Sequence, residues 1–311
     1  RNIVFDENNH ITSYNYVGTI ASINMGTIQE CVNNANITAT NFAAGGICGF
    51  MVNGCGTIKD CENYGNVKAM TYASGICGGS QSGKSITTYN YLIEDCLNSG
   101  KLSTTNGVGS AGIAGSYSGA IKNCNNNGNV DDTEGTAKSK QYTAGIVSCA
   151  SFAVDIEGCY NRGAISGVKN VGGIVGNVMK GDEAATVIKS CRNDGSVSGQ
   201  DMYVAGIVAN SARKEGVVSV VSCTNNGEVT STGTTEFIGN LRGNTNIALG
   251  EGNVIDAGLK ALPLDPDTQT GIDNTNVNTG NTTNGVFLRN GQIVIVKNNK
   301  KYTISGIEIA E

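Results

Sequence analysis

The sequence predicts an all-β chain: a right-handed parallel β-helix of about eight coils with three strands per coil, then a linker, then a small antiparallel β unit. Three observations lead there. One motif recurs seven times, a second short block alternates with it, and no stretch sustains a helical period over ten or more residues.

Aligned on cysteine, the motif reads TIQECVNNANI (27–37), TIKDCENYGNV (57–67), LIEDCLNSGKL (92–102), AIKNCNNNGNV (120–130), DIEGCYNRGAI (155–165), VIKSCRNDGSV (187–197) and SVVSCTNNGEV (219–229). Its cysteines are Cys31, Cys61, Cys96, Cys124, Cys159, Cys191 and Cys223, spaced 30, 35, 28, 35, 32 and 32 residues apart. Two residues after each stands an asparagine: Asn33, Asn63, Asn98, Asn126, Asn161, Asn193 and Asn225. The second block reads VGTIAS (17–22), GGICG (45–49), SGICG (74–78), AGIAG (111–115), AGIVS (144–148), GGIVG (172–176) and AGIVA (205–209). Each interval therefore holds three short apolar pieces bounded by Gly, Asn and Ser, which read as strands. A repeat of this length cannot bury both of its faces alone, so the copies are expected to stack, with like residues superposed about 4.8 Å apart. The degenerate stretch NIALGEGNV (246–254) suits a terminal coil with no neighbour on one side.

Stacking gives the recurring residues their reasons. Superposed asparagines can pass a side-chain amide bond from coil to coil. The glycine two residues further on suits a corner needing positive φ or close backbone approach, and Ala35 departs from it in the first copy. Two positions before each cysteine the chain reads Gln29, Lys59, Glu94, Lys122, Glu157, Lys189 and Val221, which sets opposite charges above and below one another and specifies register. The motif cysteines are expected to be free, buried thiols, because in-register Cβ atoms stand further apart than a disulfide prefers. Cys48 and Cys77 should stack in the same way, whereas Cys55 and Cys149 lie outside the motif frame and are the expected exceptions.

These two alternating blocks, over about residues 17–254, resemble the GLUG repeats of bacterial surface proteins. The resemblance implies a β-helical, surface-exposed or secreted protein of adhesin-like character, and it brings no catalytic residues with it. The β-helix is expected over 1–256. Residues 257–285 hold both prolines, Pro263 and Pro266, and a Thr/Asn/Gly-rich run that reads as a linker. Residues 286–311 alternate apolar and polar residues around Asn290-Gly291 and Asn298-Asn299 and resemble the C-terminal β segments of exported Bacteroidetes proteins.

Composition narrows the function. A net charge of -5 offers no basic surface for nucleic acid, and no run approaches the roughly 20 apolar residues of a membrane-spanning helix. The opening at Arg1 reads as a mature or trimmed start. His10 is the one histidine, which excludes His-activated nucleophiles and multi-His metal sites by count. A zinc site among Cys48, Cys55, Cys61 and Cys77 lacks paired Cys-x2-Cys spacing, so neither a metal nor a cofactor is expected. GGSQSGKS, Gly78 through Ser85, matches a phosphate-loop pattern, but the following ITTYNYLIEDC reads as loop and strand where that mechanism needs a helix.

The enzyme alternative rests on Glu30, Asp60 and Asp95, which precede successive motif cysteines, with Glu62 and Glu94 close by. Such a row could serve a polysaccharide lyase or glycoside hydrolase, or hold calcium. The absence of Trp and of an aromatic stripe in the repeat frame counts against a long sugar groove. Tyr72, Tyr89 and Tyr91 could form a small contact patch or pack inside their loop. The favoured expectation is a non-catalytic, monomeric, extracellular module that binds a host or microbial glycan or protein through loops at 79–91, 131–141, 178–187 and 211–219. A structural spacer is the remaining alternative.

Overall fold

The computed structural model describes residues 1–83, 89–106, 108–134, 141–179, 186–215, 217–233 and 238–255, together with strands at Asn284–Arg289, Gln292–Lys297 and Lys300–Thr303. The chain forms two units, Arg1–Lys260 and Ala261–Glu311. The first is an all-β parallel solenoid of about seven turns, with no helix among the described residues. The proposed linker lies almost wholly outside them.

Four sheets, not three, run along the solenoid: one of nine strands, one of thirteen and two of eight. One turn shows why. Ala43–Gly45 belongs to an alanine-rich face, Cys48–Met51 and Cys55–Lys59 to the long thirteen-stranded face, Glu62–Asn63 to the asparagine face and Val67–Ala69 to a valine-rich face. The GGI block, expected as one strand, is a corner between two. Gly46 supplies the close approach there, since a Cβ on it would stand 2.4 Å from the Asn63 side chain. The same clash recurs between Gly75 and Asn98, Gly112 and Asn126, Gly145 and Asn161, Gly173 and Asn193, and Gly206 and Asn225. The two motif blocks alternate because the glycine of one is the packing surface for the asparagine of the other.

On the asparagine face the registers are in phase from turn to turn. Asn33 pairs with Asn63, Asn63 with Asn98, and so on to Asn225, in parallel ladders. The asparagines are fully buried, and each Nδ2 donates to the Oδ1 of the next, at 2.7 Å for five steps and 2.8 Å for the sixth. The second Nδ2 hydrogen closes a local loop on the carbonyl two residues on, as from Asn63 to Gly65 at 2.9 Å. The motif glycine serves close approach, since its φ is not positive. A Cβ on Gly100 would lie 1.9 Å from the Gly65 carbonyl oxygen. Ala35 begins this stack, its own carbonyl being the one Gly65 rests against.

Two apolar clusters fill the interior. The larger stacks Ile47, Ile76, Ile113, Ile146, Ile174 and Ile207 beside the motif cysteines, and the smaller is built from Val67, Leu102, Val130, Ile165, Val197 and their neighbours. All eleven cysteines are free. Cys77 pairs in register with Cys48. Each motif thiol donates to backbone carbonyls, as Cys124 does to Lys122 at 3.2 Å, and burial pushes those of Cys124 and Cys191 well above the ordinary thiol range. Cys149 is no exception: it is core, pushed up to about 12 by burial, and only Cys55 is half-buried.

Candidate functional site

The residue before each motif cysteine carries the backbone feature that decides the carboxylate row. Glu30, Asp60, Asp95, Asn123, Ser190 and Ser222 have φ between 51° and 55°, and the equivalents Gly158 and Gly252 have φ of 65° and 74°. This left-handed corner turns the chain from the long face into the asparagine face, and Asp, Asn and Gly tolerate it best. Asp60 and Asp95 thus occupy positions that turn chemistry explains. Two of the three carboxylates, Glu30 and Asp95, also meet a cation. Glu30 is paired with Arg1 at 2.8 Å, whose guanidinium holds its carboxyl below the usual range, and Lys59 lies 3.0 Å from Glu94 and 3.7 Å from Asp95. Glu62 accepts a 2.6 Å hydrogen bond from the Tyr64 hydroxyl. A general acid needs a raised pKa, the opposite of what Glu30 shows. Further along the same face Lys189 pairs with Glu157 at 2.7 Å, so the alternation of charge forms contacts at both ends of the row.

The three tyrosines do not share one patch. Tyr91 is 1% exposed and its hydroxyl accepts the Gly54 amide at 2.8 Å, so the contact reading fails for it through burial. Tyr89 stacks on Phe152 at 5.5 Å and donates to the Gly83 carbonyl. Tyr72 sits edge-on against Phe42 at 5.7 Å. Here the structure adds something the repeat frame hid: Tyr16, Phe42, Phe50 and Tyr72 form a continuous half-buried aromatic cluster. It rests on bare backbone, since a Cβ at Gly79 would lie 2.9 Å from the Phe50 ring.

Of the four loops, three interrupt the long face between its two half-strands, as between Cys77–Gly79 and Asn90–Glu94. Lys84 and Ser85 of the phosphate-loop pattern lie outside the described residues, and strand Asn90–Glu94 follows. The start of the 211–219 loop is stapled down: the 5% exposed Arg213 donates to the carbonyls of Met179, Ser151 and Phe152 on the two preceding turns. The start of the 131–141 loop is different. Asp131 and Glu134 line an open cleft of about 660 Å³ on the outer surface of the valine-rich face, whose floor includes Lys68, Lys101, Ser103 and Thr105. Beneath Asp131, Asp132 turns inward and is 1% exposed. Its carboxylate accepts from the Thr104 amide and hydroxyl, Ser110 and Thr143, while burial raises its pKa. Among the described residues, no three His, Cys, Asp or Glu side chains are placed to hold a metal ion.

Sequence reasoning missed the cleft. Its residues sit at the variable positions of the motif, those before and after the closing apolar residue, and only the outward alternation of Val67–Ala69 and Leu102–Thr104 gathers them.

No protein-family model matches the chain, and no curated protein does. Among solved structures it is similar to one titled "putative immunoglobulin A1 protease" from Bacteroides ovatus, at 18% identity and a TM-score of 0.49, over 70% of this chain and 78% of that one.

Proposed function

We propose that the chain is a non-catalytic binding module of an exported bacterial surface protein, and that it holds a glycan or protein partner in the cleft beside the 131–141 loop. The observation that carries this reading is a contrast. The stacked carboxylates are explained by corner geometry, and Glu30 and Asp95 by ion pairs as well, whereas the cleft presents Lys68 and Lys101 without an ion pair to any described residue. Rigid parallel stacking with outward-facing variable positions supports recognition on a fixed scaffold. The GLUG-like repeats support surface exposure. The right-handed sense, an eighth coil and an antiparallel C-terminal unit belong to the same proposal; the last is supported by the pairing of Val286 with Ile295 and of Ile295 with Tyr302.

The test is a glycan and matrix-protein array with the full chain, run beside an assay for new reducing or unsaturated ends. Saturable binding without new ends is expected. New ends that disappear in Asp60→Asn or Asp95→Asn would restore the polysaccharide lyase or hydrolase reading, and an empty array would leave a spacer.

A further inference from the structure

We infer that the cleft selects an acidic oligosaccharide lying along the solenoid axis; this deepens the binding reading and rests on it. The argument starts from the position before the closing apolar residue of each motif. At Asn36, Asn66 and Asn129 the side-chain Oδ1 accepts the backbone amide of the equivalent residue one turn on, at 3.0 Å in each case. An Oδ1 fixed in this way orients its own Nδ2, which has no hydrogen bond to a described residue at Asn66 or Asn129. These two asparagines flank Lys101 in the same outward column, and both line the cleft. Beside them runs a second column in which Lys68 pairs in register with Ser103.

The surface is thus rich in donors that are already oriented or fully charged and spaced by the strand repeat of about 4.8 Å. A ligand complementary to it must be rich in acceptors and carry negative charge near Lys68 and Lys101, which a polymer of uronate or sulfated sugars does. The two acidic residues of the lining offset the lysine charge without removing the lysines as anchors. Asp131 Oδ1 is occupied by the Thr133 amide and hydroxyl at 3.0 and 2.7 Å, and Glu134 stands at the loop edge of the cleft. Their charge sets polarity, holding the ligand's anionic groups toward the lysine side. The protein's overall charge of -5 opposes approach only weakly, because screening limits it to about 8 to 10 Å at physiological salt.

Binding of the full chain to polygalacturonate and to a sulfated glycosaminoglycan, against neutral dextran, tests the inference. Acidic polymers are expected to bind and to weaken as salt rises. Lys68→Gln with Lys101→Gln should weaken that binding by roughly tenfold, as loss of charge-assisted contacts requires. Lys122→Gln, on the long face, should leave it unchanged, and Glu134→Gln should strengthen it. All four side chains are exposed, so folding is preserved and is checked by the thermal transition. Preference for the neutral polymer, or unchanged acidic binding in the double variant, would overturn the acidic specificity while leaving a binding module. Absence of binding to every glycan and protein on the array would remove both.

Discussion

Asn98→Ala isolates the interaction that holds turn to turn. In the wild type this carboxamide makes four bonds in a fully buried corner: it receives Asn63 Nδ2 at 2.7 Å and the Gly100 amide at 3.2 Å, and donates to Asn126 Oδ1 at 2.7 Å and the Gly100 carbonyl at 3.1 Å. At about 1 kcal/mol net for each bond, removal costs about 4 kcal/mol, because each partner sits in the same buried corner. Asn125→Ala, one residue from the next rung, is half-buried and serves as the control, expected within about 0.5 kcal/mol of wild type. Urea unfolding followed by circular dichroism gives the magnitude. Because a solenoid is stabilised turn by turn, hydrogen exchange should place the lost protection in the turns holding Asn63, Asn98 and Asn126. A midpoint for Asn98→Ala that coincides with that of Asn125→Ala would refute the ladder as a source of stability.

Further expectations follow from the same geometry. Gly112→Ala puts a Cβ 2.1 Å from the Gly145 carbonyl oxygen and should destabilise by roughly 3 kcal/mol or more, whereas Gly26→Ala meets nothing closer than 4.0 Å and should be near neutral in the same unfolding assay. At the left-handed corner, Asp95→Gly should be tolerated and Asp95→Val should lose roughly 1 to 2 kcal/mol, since a β-branched residue is strained at φ of 52°. Burial raises the folded-state pKa of Asp132, so its favourable contribution is complete below the unfolded value and is lost as pH rises through the folded one. Asp132→Asn, which keeps the acceptor used by Thr104 and Ser110, should therefore gain thermal stability over wild type as pH rises above about 4, and a difference that does not grow with pH would contradict the assignment. Labelling the native chain with a thiol reagent should modify Cys55 alone, with the other cysteines reacting only on unfolding.

Most of the solenoid was legible because stacking repeats its chemistry. The cysteine frame gave the register, the asparagine column its bonding, and the alternating charges their partners. Three things were hidden. The GGI block reads as a single apolar piece, and only the contact between Gly46 and Asn63 reveals a corner that splits it across two faces. The position before the cysteine looks like an acidic row when read as Glu30, Asp60 and Asp95. Read onward through Asn123, Gly158, Ser190 and Ser222 it is a backbone requirement. The cleft was invisible for the opposite reason: Lys68 and Lys101 occupy positions whose identity changes from copy to copy, and the asparagine of Asn36, Asn66 and Asn129 recurs in only three of the seven copies.

The asparagine column has a direction. Every carboxamide hands its proton the same way, toward the C-terminal turns, so the group dipoles add instead of cancelling. Inverting one amide in the middle would set two oxygens face to face on one side and two NH2 groups on the other. The whole row must therefore hold a single orientation, and mutual polarisation along it strengthens interior links over those at its ends. Fraying then begins at the outermost turns and advances inward, where the thermodynamic resistance grows with each neighbour still in place.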